Sequence, residues 1–447
     1  MRTTMKPIAH VQQEPHSTPK QITFVQALSI VVGMIIGSGI FLKPGIVLSH
    51  AGSPWMSIMA WTLGGIITLA SALSVAEIAA AIPKSGGLYT YLGELYGDVV
   101  GFLLGWVQTV ISYPASVAAL AIAFASYSAY FIPMNSWVQK LVAIGILAFI
   151  LVMNVIATKY GGIIQTLATV GKLVPVVGIV GFGLFSGTAP GLAGMPAAVT
   201  GAGFGMAVLG TLWAYDGWIG VTNMAGEIPN PARTMPRVIS IGVVFVIIVY
   251  VLFNLAIFKI LPYEAIVSSK APGADAAEAL LGSGGAMLIT AGIIVSVLGA
   301  LNGYLMTAAR VPQVMGEKGQ IPFSRLLRKQ HVKFGTPANA LILQSLLAVI
   351  YIFSGTFNTL TDLLVFVLWI FFTMGVFGVF LLRRRKPVPS GERGRYRVPL
   401  YPITPLIGIL GGIYILGSTI ISNPLQSLTG IGITLIGLPV YFYMQRR

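Results

Sequence analysis

The chain has 447 residues, of which 56% are hydrophobic and only 9% charged, and its mean hydropathy is +0.87. A soluble domain carries roughly a quarter of its residues as charges, so a soluble enzyme, a disordered chain and a fibrous protein are excluded and an integral membrane protein remains. The net charge of +15 comes without a single cysteine, which removes disulfides, thiolate metal sites and any covalent tether to a partner subunit.

In chain order, residues 1–21 form a polar tail without the short apolar core of a cleaved signal peptide. The first apolar segment is therefore expected to be a retained helix. A bilayer crossing takes about 20 mostly apolar residues. Segments of that kind fall at 22–48, 54–82, 98–130, 138–157, 162–186, 202–226, 236–260, 285–311, 338–355, 360–382, 402–422 and 425–444, about twelve spans of an all-α protein. The ten-residue alternation of a membrane β-barrel is missing, and 53 glycines suit close helix–helix approach.

Orientation follows from the basic residues. With the N-terminus inside, only Lys43, Lys140, Lys259 and Lys270 fall in outer segments and Lys172 falls within a span. The rest of the 27 Lys and Arg lie in inner segments. Both termini are thus expected in the cytoplasm, and the +15 is a topology signal facing anionic lipid rather than nucleic acid. A regulatory or RNA-binding role for the basic stretch 383–397 is the weaker reading beside a solvated inner loop.

Two spans are interrupted. The first carries Gly37-Ser38-Gly39 within an apolar run, and the sixth carries Tyr215-Asp216-Gly217. Glycine costs about 1 kcal/mol of helix propensity relative to Ala, and Ser and Asp prefer caps. Such breaks expose backbone groups, which a membrane tolerates only where they line a cavity. Paired breaks in corresponding halves point to a transporter with a midplane site. Ordinary glycine packing is the alternative.

At these residues the chain resembles the amino acid–polyamine–organocation transporters. Gly37-Ser38-Gly39-Ile40-Phe41 is similar to their first-helix motif, and Pro83-Lys84-Ser85-Gly86-Gly87 with Tyr89 and Tyr91 to the signature after the second helix. Trp213-Ala214-Tyr215-Asp216-Gly217-Trp218, then Glu227-Ile228-Pro229-Asn230-Pro231, Arg233 and Pro236-Arg237, resembles the L-amino-acid transporter branch. The bacterial serine/threonine and alanine/serine/cysteine exchangers are the most similar members. The resemblance implies a leucine-transporter-type five-plus-five inverted repeat, residues 22–186 and 202–382. The basic loop, two further helices and a short C-terminus follow in 383–447. It also implies sodium-independent exchange of amino acids. The protein itself is expected to work as a monomer in the plasma membrane. The heavy-chain cysteine of animal relatives has no counterpart after span three.

The resemblance further implies a site. N–H groups of Ser38, Gly39 and Ile40 would meet the substrate carboxylate at a helix N-terminus. Carbonyls free at Ile35, Trp213 and Asp216 would meet its ammonium, with Gly37 and Gly39 small enough for close approach. Ala214, Tyr215 and Gly217 complete the second break. Trp213 sits where the family places an aromatic gate; a core- or lipid-facing tryptophan is the alternative. Lys172, about ten residues into span five, costs roughly 2.5–3.5 kcal/mol to insert and so requires partners. The family places a lysine there in lieu of sodium, against carbonyls of span one and a hydroxyl matched by Ser296; a structural pairing with Glu77 is the alternative. Glu77 is read as structural, and Asp362 as close to the outer interface. Asp216 either caps the following half-helix or attracts the second ammonium of a dibasic substrate.

Small neutral amino acids such as serine, threonine and alanine are therefore the expected substrates. A cationic/neutral exchanger and a proton-coupled symporter are the alternatives. An amino-acid sensor without flux is a further class. The four His residues fall in the tail and loops, and with no catalytic set, metal cluster or phosphate loop in the sequence neither an enzyme nor a bound cofactor is expected.

Overall fold

Proline and glycine punctuate the spans and set where each one turns. The structure, a computed structural model, describes residues 23–82, 87–156, 158–188, 201–222, 228, 230–385 and 396–446. Among them there is no strand. Span one is a broken pair, α1 (Phe24–Ile35) and α2 (Gly39–Ala51), bent by 42°. Gly52 then takes φ 70°, and the Ser53 hydroxyl accepts the Met56 N–H at 3.3 Å, so α3 (Pro54–Ala81) starts on a capped turn with proline at its first position. A short α4 (Gly87–Tyr96) leads to span three, α5 (Asp98–Val107) and α6 (Tyr113–Ser128), joined by a π-helical turn at Gln108–Ser112.

Pro114 explains that turn. Its ring excludes the carbonyl four residues back and it has no N–H to donate. The carbonyls so released are satisfied from α15 (Ala338–Ser354): Gln344 donates to Thr109 at 3.1 Å and Tyr351 to Val110 at 3.0 Å. Span four is α7 (Ser136–Ile156) and span five α8 (Thr158–Ser186). Span six begins as α9 (Gly201–Ala214) and continues as irregular turn; residues 223–227 lie outside the described residues. Span seven is α10 (Pro231–Ile260), followed by the short α11 (Tyr263–Ser268).

Span eight differs from the sequence expectation of 285–311. Helix α12 runs from Pro272 to Ala308 with a kink at Gly282 (φ 67°), so the stretch before the span is helical rather than loop. Two short helices, α13 (Arg310–Glu317) and α14 (Ser324–Leu327), precede α15. Spans ten to twelve are α16 (Phe357–Arg385), α17 (Ile403–Ser422) and α18 (Pro424–Gln445). Among the described residues eight helices have the length and hydropathy to cross a membrane; the broken pair and three shorter apolar helices bring the fold to about twelve spans.

Helices α3, α9, α10 and α12 surround the broken pair, while α7 and α18 lie at the periphery with large apolar side chains exposed. Two ion pairs pin the bundle at opposite ends. At the end bearing the chain termini, Glu77 of α3 receives Arg383 of α16 through two bonds of 2.8 Å and the Val398 N–H at 2.7 Å. Tyr401 covers the guanidinium at 3.7 Å. Glu77 is thus structural, as its sequence position suggested, and its partner is the last turn of α16.

At the other end the sequence expectation fails. Lys43, sorted as an outer-segment charge, is fully buried in α2 and binds Asp362 of α16 at 3.0 Å, over the Phe357 ring. Lys43 lies within the expected span 22–48, and the positive-inside count sorts it by its nearness to the outer end of that span, which says nothing of its burial or of its acidic partner. His50, likewise assigned to an outer loop, belongs to the last turn of α2.

Removing one partner of a buried pair costs about 3–5 kcal/mol because the other is left uncompensated. Glu77→Gln is expected to lower the apparent melting temperature in detergent by several degrees, and more than Arg383→Lys, which keeps the charge. Thermal unfolding followed by tryptophan fluorescence checks this order.

Candidate functional site

The two breaks face each other. A Cβ built on Gly39 would lie 2.6 Å from Ala214 Cα, so the second half of span one packs directly on the end of α9. Gly217 takes φ 107° and packs against Met34. Gly39 is therefore demanded by helix–helix contact. Gly37 is under no such constraint, its built Cβ meeting Ala300 at 3.7 Å.

Interrupting α1 after Ile35 strands the N–H groups of residues 37 to 40. Among the described residues none of these four has a backbone acceptor, while Phe41 and Leu42 N–H both return to the Ser38 carbonyl. The Ser38 hydroxyl and the Trp213 indole N–H are buried there without a hydrogen-bond partner. Unmade bonds of this kind cost about 1–3 kcal/mol each in a buried setting. The break thus presents donors converging at a helix N-terminus, the arrangement that suits a carboxylate.

The carbonyl side departs from expectation. Ile35 C=O is not free: the Tyr250 hydroxyl of α10 lies 2.9 Å from it and 2.8 Å from Ala214 C=O. Trp213 C=O accepts the Asp216 N–H at 3.2 Å, closing the turn that replaces the helix. Ile35 C=O competes with Ala214 C=O for the one hydrogen of the Tyr250 hydroxyl, and each of the expected oxygens keeps a lone pair beside its protein donor. Tyr250 packs at 5.0 Å from Tyr215 and 5.4 Å from Trp61, and Tyr215 donates to Trp61 C=O at 3.0 Å. This aromatic group supports both breaks from behind, and sequence reasoning missed it.

Lys172 has the partners that its depth required. Its ammonium donates to Gly33 C=O at 2.5 Å and Ile36 C=O at 3.0 Å, both in broken span one. Ser296, expected as a third partner, is buried on α12 with its hydroxyl unpaired. Glu77, the alternative partner, is committed to Arg383. The lysine therefore bridges α8 to the last turn of α1 and the break that follows it.

Trp213 is buried, tilted at 33° against Tyr304 of α12 at 6.2 Å and edge-on to Phe357 of α16 at 6.0 Å, which removes the lipid-facing reading. Asp216 accepts the Tyr304 hydroxyl at 2.9 Å and a backbone bond from Gly217. Toward the terminus face, the Tyr89 hydroxyl donates to Gln320, and the Lys318 ammonium sits 4.4 Å over its ring. Burial and the nearby Asp98 push the Tyr89 hydroxyl up to about 12, the Gln320 bond opposing. It remains a donor throughout the neutral range. Pro83, Lys84, Ser85 and Gly86 of the same motif, and Glu227 and Pro229 of the other, lie outside the described residues.

A helical bundle with two facing breaks inside the membrane defines a transporter rather than an enzyme. The family model described as amino acid permease matches residues 22–443, and the chain belongs to that family. It is 42% identical over 435 residues to the serine/threonine exchanger SteT of Bacillus subtilis (strain 168), covering 97% of this chain and 99% of that one. It is 31% identical to the human cystine/glutamate transporter, covering 96% and 86%, and 29% identical to the human Asc-type amino acid transporter 1, covering 95% and 82%.

The glycine contacts separate two otherwise similar substitutions. Gly39→Ala is expected to force the broken helices apart at about 1–3 kcal/mol, the cost of overpacking, while Gly37→Ala is accommodated. Ligand-free thermal stability in detergent should fall for the first and hold for the second.

Proposed function

We propose that the protein is an antiporter of small neutral L-amino acids, serine, threonine and alanine among them, working by alternating access without sodium. The observation that carries this reading is the facing pair of breaks, with four stranded N–H groups, the unpaired Ser38 hydroxyl and the unpaired Trp213 indole at one place. Ser38, Gly39 and Ile40 bind the carboxylate, and Trp213 closes over the ligand. The serine/threonine exchanger that the chain resembles at 42% identity supports both the substrate class and the exchange mode. The first five and the next five spans act as inverted repeats, the termini are cytoplasmic, and the plasma membrane is the location. The absence of cysteine removes a covalent heavy chain, in keeping with a working monomer.

Sodium independence rests on Lys172, a tethered cation already seated on Gly33 and Ile36 carbonyls of span one. Its alkyl chain joins α8 to the part of the bundle that must move. Asp216 is read as a holder of the break, because the Tyr304 hydroxyl and the Gly217 backbone already occupy it.

Reconstituted into proteoliposomes, the protein should take up labelled serine only when loaded with a counter-substrate; binding without flux would identify a sensor instead. Uptake should persist when choline replaces sodium. Lys172→Ala should insert normally yet slow exchange about tenfold or more, as losing a charge-assisted hydrogen bond implies. A strict sodium requirement in the unmodified protein would reject the lysine account.

Asp216→Asn, which keeps the shape of the side chain, is expected to retain most serine exchange. Strong inhibition of serine uptake by arginine that vanishes in Asp216→Asn would instead make the protein a cationic–neutral exchanger.

A further inference from the structure

At the end of the bundle opposite the Glu77–Arg383 pair, α2, α6, α7 and α16, with Val267 of α11, Lys270 and Ile352 of α15, line an open cavity of about 400 Å³. That volume lies in the range of small-molecule sites. Phe357 forms part of its wall, and the same ring meets Trp213 at 6.0 Å and 83° on its other side. The cavity is thus separated from the break of span six by one aromatic layer.

Its charge is one-sided. Lys140 and Lys270 line it, and among the described residues no carboxylate does. The third cation nearby, Lys43, is neutralised by Asp362. Lys140 is positioned by two aromatic faces, its ammonium 5.6 Å from the Trp137 ring and 5.7 Å from that of Phe353. Cation–π attraction holds the group in place without consuming its N–H donors. Asn358, on the wall beside Phe357, has its side-chain oxygen buried and unpaired. A buried acceptor without a donor is costly, and an ammonium relieves that cost better than a neutral donor. Two cations and one orphaned acceptor, in a space of this size, complement the carboxylate and ammonium of a free amino acid.

We propose that this cavity is a second amino-acid site, which holds the incoming zwitterion ahead of the site between the breaks. Lys140 and Lys270 take its carboxylate and Asn358 its ammonium, while Phe357 and Trp213 part to pass it inward. The inference rests on the amino-acid reading given above. An anionic lipid headgroup offers the same negative charge to the lysines but has no use for the whole pocket.

Equilibrium binding of radiolabelled serine to the full-length protein in neutral detergent tests it. The unmodified protein should bind about two equivalents at saturation and Lys140→Gln/Lys270→Gln about one. The retained equivalent also reports that the variant is folded. Lys140→Arg/Lys270→Arg should keep both, and Asn358→Leu should lose the same one as the glutamine pair. One equivalent in the unmodified protein, or two in the glutamine variant, would overturn the second site and leave the central one standing. No binding at all would overturn the substrate reading itself. Phosphatidylglycerol that binds the unmodified protein but not the glutamine variant, with serine at one equivalent in both, would assign the lysines to lipid and overturn the proposal.

Discussion

A helix broken inside a membrane leaves backbone donors and acceptors that hydrocarbon cannot satisfy, at several kcal/mol for each group. Much of this structure answers that one debt. Lys172 takes the Gly33 and Ile36 carbonyls, Tyr250 reaches Ile35 and Ala214, and the turn at residues 213–216 closes on itself. What is left over is the donor set of residues 37 to 40, on the side where a substrate carboxylate would lie. The acceptors are largely repaid by protein and the donors are not. Backbone donors arranged in that way suit an anion without a formal positive side chain at the point of contact.

Side-chain charge ties the same bundle together at its ends. Two ion pairs among the described residues join α16 to different partners, Glu77 of α3 at one end and Lys43 of α2 at the other. Helix α16 therefore reads the position of broken span one at one face and is fixed to α3 at the opposite face. Its aromatic residue Phe357 lies between the two breaks and the outer cavity. A displacement of α2 would be felt first by the Lys43–Asp362 pair, then by Phe357, then by Trp213.

The spans themselves were legible in the sequence, because each needs only length and apolarity. The two breaks were legible because Gly-Ser-Gly and Tyr-Asp-Gly oppose helix formation. Lys172 was legible because a lone cation deep in an apolar run must find oxygens. Three features were hidden. Tyr250 lies in a run of valine and isoleucine where tyrosine reads as packing, and its role depends on two carbonyls far away in sequence. Lys43 was hidden because a charge count sorts a lysine in the last part of span 22–48 outward without testing its burial, and its partner Asp362 is far away in sequence. The helix before span eight was hidden because Gly282 and its neighbours look like turn, whereas one positive φ suffices to bend a continuous helix. Ser296 was a motif match whose hydroxyl finds no partner in this conformation. Sequence placed the elements, and the long-range side-chain bonds between them came only with the fold.

The Tyr250 hydroxyl stands within reach of two carbonyls, one on each broken helix, yet it owns a single hydrogen. It can point that hydrogen fully at only one of them. When either helix withdraws, the hydrogen swings to the other, so the bond is handed over rather than broken. The cost of parting the helices at this point is then only the difference between two similar bonds, well below the 4–6 kcal/mol of an amide bond forfeited in an apolar medium. A shared proton between two mobile partners makes a bearing out of what would otherwise be a lock.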